Sequence, residues 1–91
     1  MKTLEKELII TNKLGLHARA ATKLAQLSMK FQAKILIELE GRQADASSIM
    51  ALMLLAGAKG KSVKVITEGK DAEQALENIT QLFTDKFDES E

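Results

Sequence analysis

Cysteine, proline, tryptophan and tyrosine are all absent from this 91-residue chain, and phenylalanine is its only aromatic type. Without cysteine there is no disulfide framework, no thiolate nucleophile and no sulfur-based metal site; a reducing, cytoplasmic compartment fits this usage. Without tryptophan or tyrosine, and with a net charge of zero, the chain lacks both the stacking platforms and the positive excess of a nucleic-acid binder. No apolar run approaches membrane-spanning length. The start, Met1-Lys2-Thr3-Leu4-Glu5-Lys6-Glu7, carries charges where a signal peptide has an apolar core, so neither insertion nor targeting is expected. With 45% of its residues hydrophobic, a chain of this length is expected to form one domain over residues 1–91 with a modest core.

A further absence is local. Between Leu8 and Ile37 there is no acidic residue, while Lys13, Arg19, Lys23, Lys30 and Lys34 fall in that stretch. From Glu68 to Glu91 the sign reverses, with Glu68, Asp71, Glu73, Glu77, Asp85, Asp88, Glu89 and Glu91 against Lys70 and Lys86. One reading is an ordinary solvated surface; the other is a charge dipole whose basic half meets an acidic partner.

Alternation predicts a strand over Thr3–Thr11, with Leu4, Leu8 and Ile10 opposite Glu5 and Glu7. Helical spacing from His17 to about Phe31 aligns Ala21, Leu24, Ala25, Ser28 and Phe31. A strand over Ala33–Glu40 turns at Glu40-Gly41 into a short partner, Arg42–Asp45. Ser47 or Ser48 can cap a second helix running to about Ala56, before a flexible Gly57–Gly60. That helix is apolar around its whole circumference, so either it is wedged between core and loop or Met50 and its neighbours form a docking patch. Lys61–Thr67 reads as a strand. Asp71 with Gln74 resembles a capping box ahead of a last helix through Ala72, Ala75, Leu76, Ile79, Leu82 and Phe83, after which Phe87–Glu91 should fray. The order β-α-β-β-α-β-α predicts an α+β fold, a four-stranded antiparallel sheet with three helices on one face.

His17, the only histidine, lies at the junction of the first strand and helix. There it faces unpaired backbone N–H groups and the positive end of the helix dipole, a setting for anions and phosphoryl groups. Arg19 falls in the first turn, where the dipole opposes a cation; a phosphoryl group on His17 would give its guanidinium a partner. The plainer alternative is that His17 caps or packs locally and Arg19 lies on the surface. No second histidine and no nearby carboxylate support a metal, and no acidic residue close in sequence orients His17 for hydrolase chemistry.

At these residues the chain resembles the histidine-containing phosphocarrier family, HPr, of the phosphoenolpyruvate-dependent phosphotransferase system, along nearly its whole length. Leu14-Gly15-Leu16-His17-Ala18-Arg19 is similar to the family's phosphorylation motif, and Ser47-Ser48-Ile49-Met50 with Ala58-Lys59-Gly60 to its second signature. Asn12-Lys13-Leu14-Gly15, the Ala51–Leu55 run and the ending Leu82-Phe83 to Phe87-Asp88 look most like the nitrogen-related branch, NPr. The resemblance implies a phosphoryl carrier rather than an enzyme, cytoplasmic, monomeric and without cofactor or metal. His17 would accept phosphate on Nδ1 from enzyme I and pass it to an enzyme IIA, with further regulatory protein targets. Arg19 would steady the phosphoryl group, as would the backbone N–H groups of Ala18 and Arg19. Leu16, Ala20, Met50, Met53 and Leu54 would form the docking surface. Ser48 aligns with a serine phosphorylated by a kinase in some sugar-branch members, although a helix cap already accounts for it. The departure is Ala20, where the family usually has proline; alanine supports the helix with a less constrained start. A sugar-branch carrier, or a regulator acting by docking alone, are the alternatives.

Overall fold

The computed structural model describes residues 2–91. Its elements in chain order are β1 (Thr3–Ile9), α1 (Ala18–Ser28), β2 (Lys34–Leu39), β3 (Arg42–Asp45), α2 (Ile49–Leu54), β4 (Ser62–Glu68), α3 (Ala72–Thr84) and a 3-10 turn over Lys86–Asp88. The strands form one antiparallel sheet in the order β1-β4-β2-β3. The α+β architecture expected from the alternating pattern is therefore the one observed.

Strand periodicity decides which side of the sheet is covered. Ile35, Ile37 and Leu39 of β2 and Val63, Val65 and Thr67 of β4 are buried, beneath the helical stripe of Ala21, Leu24, Ala25, Ala75, Ile79 and Phe83. The opposite side carries cross-strand rows such as Glu5–Ile66–Leu36–Asp45 and Glu7–Lys64–Glu38–Gln43, which leave Leu36 and Ile66 half-buried among charges. The β2–β3 hairpin closes through Glu40 and Gly41 at φ 52° and 81°, the left-handed pair that matches strand twist.

Several boundaries differ from the periodic pattern, each for a local reason. α1 stops at Ser28 instead of continuing to Phe31, because the Ser28 hydroxyl donates back to Leu24 O (2.8 Å) and the Lys30 and Phe31 N–H groups bond only three residues back. α2 ends at Leu54, short of Ala56, where Leu55 and Ala56 bond three residues back and Ala56 turns left-handed at φ 54°. Arg42 then reaches over with Nη1 and Nη2 donating to Leu54 O and Leu55 O at 3.3 and 3.1 Å, a cation on a helix C-terminus. The capping box at α3 does not form. The Asp71 carboxylate instead accepts from Gln32 N and Ala33 N (2.9 and 2.8 Å), tying the start of α3 to the entry of β2.

Two segments expected to be loose are docked. Gly57 is buried and its carbonyl accepts from Leu16 N at 2.8 Å. The tail does not fray: Phe87 is fully buried, its ring centroid 4.8 Å from that of Phe83, and Glu91 O accepts from Lys13 N at 2.8 Å. The tail achieves this by an abrupt reversal, with Lys86, Phe87 and Asp88 at φ 55°, 55° and 62°. Apolar burial of one ring holds this backbone in a region that L-residues normally avoid. Among the described residues no helix is long and apolar enough to cross a membrane.

Candidate functional site

The chain leaves β1 through Thr11-Asn12-Lys13-Leu14 and turns at Gly15, which takes φ 65°. A Cβ at Gly15 would lie 2.1 Å from Gly57 O, so the turn requires glycine for its conformation and for its close approach to a neighbouring backbone. Buried Asn12 ties the turn together, its Nδ2 donating to Gly15 O at 2.8 Å and to Glu89 Oε1 at 3.1 Å. His17 follows as the residue preceding α1, in extended conformation, and its carbonyl accepts the first helical bond from Ala21 N at 2.8 Å. The N–H groups of Ala18, Arg19 and Ala20 are thus the unpaired donors of the helix start.

The imidazole neither caps the helix nor packs locally. It makes no cap bond; its Nε2 lies 2.5 Å from Glu89 Oε2, with the His17 and Glu89 side chains 23% and 11% exposed. The acidic partner that His17 lacks in its own neighbourhood of the sequence therefore arrives from the C-terminal tail. Burial pushes the Glu89 pKa upward, but hydrogen bonds from His17 and Asn12 and the charges of His17 and Arg19 outweigh it. The carboxyl is held below its ordinary range. An ionised carboxylate only accepts hydrogen bonds, which assigns the proton of this contact to Nε2.

Arg19 is exposed and forms no ion pair among the described residues; it lines an open cleft with Lys13, Leu14, Asp88, Glu89 and Glu91. Beside it, Lys23 Nζ donates to Phe87 O at 3.1 Å and stands 3.5 Å from Asp88 Oδ2. The basic stretch and the acidic tail, far apart in sequence, thus meet across this end of the molecule. No cluster of His, Asp and Glu among the described residues is arranged to hold a metal ion.

Of the residues expected on a docking surface, Met50 and Leu54 are 72% and 71% exposed, and Met53 is exposed with Ile49. Leu52 and Leu55 face the core, so α2 is half covered rather than wedged. Leu16 and Ala20 are corrections: both are buried. Leu16 comes out of the Gly15 turn pointing inward against the Gly57 backbone, and Ala20 lies on the core stripe of α1. Exposed Leu14, missed in the sequence, stands at the site instead. Ser48 acts as a helix cap, its hydroxyl accepting from Ala51 N at 3.2 Å.

Residues 4–85 match the family described as the PTS HPr component phosphorylation site. The chain is 46% identical to phosphocarrier protein HPr of Xylella fastidiosa over 94% of its own length and 97% of that protein's. It is equally identical, 46%, to phosphocarrier protein NPr of Shewanella violacea over 99% of each, and 43% identical to NPr of Escherichia coli K12 over 96% and 98%. Among solved structures, HPr from Thermoanaerobacter tengcongensis superposes with a TM-score of 0.92 at 38% identity, covering 100% of both chains. The strand–turn–helix that presents His17, and the sheet that carries it, place this chain in the HPr family of phosphotransferase-system phosphocarriers.

Proposed function

We propose that this chain is a phosphoryl relay in which His17 Nδ1 accepts a phosphoryl group from phosphorylated enzyme I and gives it to an enzyme IIA. The observation that carries this reading is the histidine at the α1 start, beside unpaired backbone N–H groups and an arginine without an ion-pair partner among the described residues. In the forward step the Nδ1 lone pair attacks phosphorus, an N–P bond forms, and the donor's bond to phosphorus breaks with its electron pair left on the donor atom. Backbone N–H groups of Ala18 and Arg19 and the Arg19 guanidinium take the phosphoryl oxygens, donors already in place before charge moves. Ala20 keeps an N–H in this first turn that proline would lack, and α1 forms from Ala18 without the ring. The protein has no turnover of its own: it is consumed and regenerated as a substrate of two enzymes, in the cytoplasm, as a single-domain monomer. Met50, Met53 and Leu54 supply the apolar contact to both partners, with Leu14 beside His17.

The nitrogen-regulatory branch is the preferred setting, on the Asn12–Gly15 and Ala51–Leu55 segments and the tail. The equal identity to an HPr and an NPr keeps the sugar branch as the second reading. The test is intact mass and phosphorus NMR after mixing with phosphoenolpyruvate and enzyme I of each branch in parallel, with His17→Ala as control. One acid-labile phosphate on Nδ1, absent from the control and faster with the nitrogen enzyme, is expected. No transfer from either enzyme I refutes the relay and favours a regulator that works by docking.

A further inference from the structure

We infer that Glu89 is a positioning residue for phosphoryl transfer: it fixes the His17 tautomer and balances the charge that appears on the ring when Nδ1 attacks. The inference rests on the reading of His17 as the phosphoryl acceptor. An imidazole offers two nitrogens, and a neutral ring carries its proton on only one of them. Glu89 Oε2 accepts from Nε2–H, leaving Nδ1 with the lone pair. The choice of nitrogen follows from a carboxylate that the fold delivers to one side of the ring.

The delivery is over-determined, as a positioning role requires. Glu89 Oε1 accepts from Asn12 Nδ2, whose other bond goes to Gly15 O in the turn that sets His17. Asn12 therefore links the carboxylate that meets the ring to the turn that places the histidine. Phe87, buried two residues earlier, anchors the tail on the core; Glu91 O on Lys13 N closes it on the other side. Both carboxylate oxygens are used, and the side chain is nearly covered, so this contact differs in kind from the surface pairs Lys61–Glu40 and Lys64–Glu5.

Charge bookkeeping gives the second half of the role. A neutral ring with its proton on Nε2 becomes a phosphorylated imidazolium when Nδ1 forms the bond to phosphorus, since no proton leaves in that step. The positive charge is shared by Nε2–H, against which the Glu89 carboxylate already lies. The hydrogen bond strengthens as the N–P bond forms, so the interaction favours the transition state over the ground state. When the phosphoryl group departs to the acceptor, the ring recovers its lone pair on Nδ1 and Nε2 keeps its proton throughout. Glu89 acts through His17, not on phosphorus.

The test uses wild type, Glu89→Ala, Glu89→Gln and His17→Ala as full chains, with nitrogen-15 spectra of the ring, thermal midpoints and two phosphoryl donors. Enzyme I with phosphoenolpyruvate requires docking; phosphoramidate does not, and separates an effect on the ring from one on the interface. In wild type the ring spectrum shows the Nε2–H tautomer, and phosphoramidate places phosphate on Nδ1. In Glu89→Ala the tautomers mix, phosphate appears on both nitrogens, and transfer with either donor slows about tenfold; only part of a charge-assisted hydrogen bond is involved, since the contact exists before attack. Glu89→Gln keeps an acceptor for Nε2–H, retains Nδ1 as the site and transfers more slowly than wild type. Glu89→Ala with wild-type tautomer, product and rate overturns the inference, whatever its thermal midpoint. A wild-type chain that takes no phosphate on His17 from either donor overturns the carrier reading itself.

Discussion

Replacing Phe87 by alanine tests whether the tail is held by one ring. Burying that side chain removes roughly 200 Å² from water, worth about 5 kcal/mol at 25 cal/mol per Å² and nearer 3–4 against a compact unfolded chain. Against it stand Lys86, Phe87 and Asp88 in the left-handed region, at about 1 kcal/mol each. The bonds from Lys23 Nζ to Phe87 O and from Lys13 N to Glu91 O return about 1 kcal/mol each. The Glu89 bonds to Asn12 and His17 add to these contacts and the conformational entropy of ordering the tail opposes them, so the ring is the largest single favourable contribution. Phe87→Ala should therefore release the whole tail rather than leave a cavity beneath a docked one, while α3 persists. Expected are a fall in the thermal midpoint of about 10 °C and loss of hydrogen-exchange protection at the Lys13 amide, measured by calorimetry and residue-resolved exchange. Protection at Lys13 retained in the variant, or a midpoint within about 2 °C of wild type, would refute the argument that this ring holds the strained reversal.

Three further outcomes follow from the same geometry. Gly15→Ala should lose roughly 3 kcal/mol in denaturant unfolding, from the left-handed backbone and from a Cβ driven against Gly57 O; a change below about 0.5 kcal/mol would show that the turn yields. Ser48→Ala should cost about 1 kcal/mol by removing the cap on Ala51 N, whereas Ser48→Asp keeps a capping oxygen and adds charge beside Met50, so stability holds while transfer from enzyme I slows; equal transfer by both variants contradicts this. Because the Glu89 pKa is lowered by folding, its contribution is complete above the unfolded-state value of about 4.3 and is lost as pH falls through the lower folded value. Carboxyl carbon shifts of Glu89 followed through that acidic range should show it titrating below an ordinary glutamate; titration at or above the ordinary value would remove the contact.

What was legible in the sequence was what short-range pattern controls. Alternation in Ile35, Ile37 and Leu39 and spacing in Ala21, Leu24 and Ala25 mark the buried faces, and His17 with Arg19 marks the candidate site, since each is set by neighbours two to four residues away. What escaped was long-range. Asp71 has Gln74 at capping-box spacing, yet its carboxylate serves Gln32 and Ala33 across the fold. Leu16 and Ala20 sit inside the site motif, yet which side chains of a motif point outward depends on the packing beneath it. The tail carried one usable signal: Phe83 and Phe87 are spaced as successive turns of a helix face, so a buried Phe87 could have been anticipated, although not the reversal that aims Glu89 at His17. Asn12 gave none, because an asparagine at a strand end is an ordinary turn residue until its partners are known.

The charge segregation along the chain acquires a different meaning once folded. A basic stretch facing an acidic tail suggests a dipole that steers a partner from a distance, but the tail closes on the stretch itself: Asp88 meets Lys23, Glu91 stands 3.9 Å from Lys13, and Glu89 takes His17. The acids that would have made the far pole instead neutralise the near one, and the positive charge left at the site is that of Arg19. Its effect is felt within about a Debye length of 8–10 Å, the range at which the proposed phosphoryl group would be placed. Selection between anions then rests less on net attraction than on fit: a group small enough to meet the N–H groups of Ala18 and Arg19 while presenting oxygens to the guanidinium. Under the proposed relay, contact with the partner protein would fall to the exposed apolar side chains Met50, Met53 and Leu54, with the Arg42 guanidinium beside Leu54. In the proposed relay, such an arrangement would separate holding the phosphoryl group from choosing who delivers it, the division of labour that transfer between two enzymes requires.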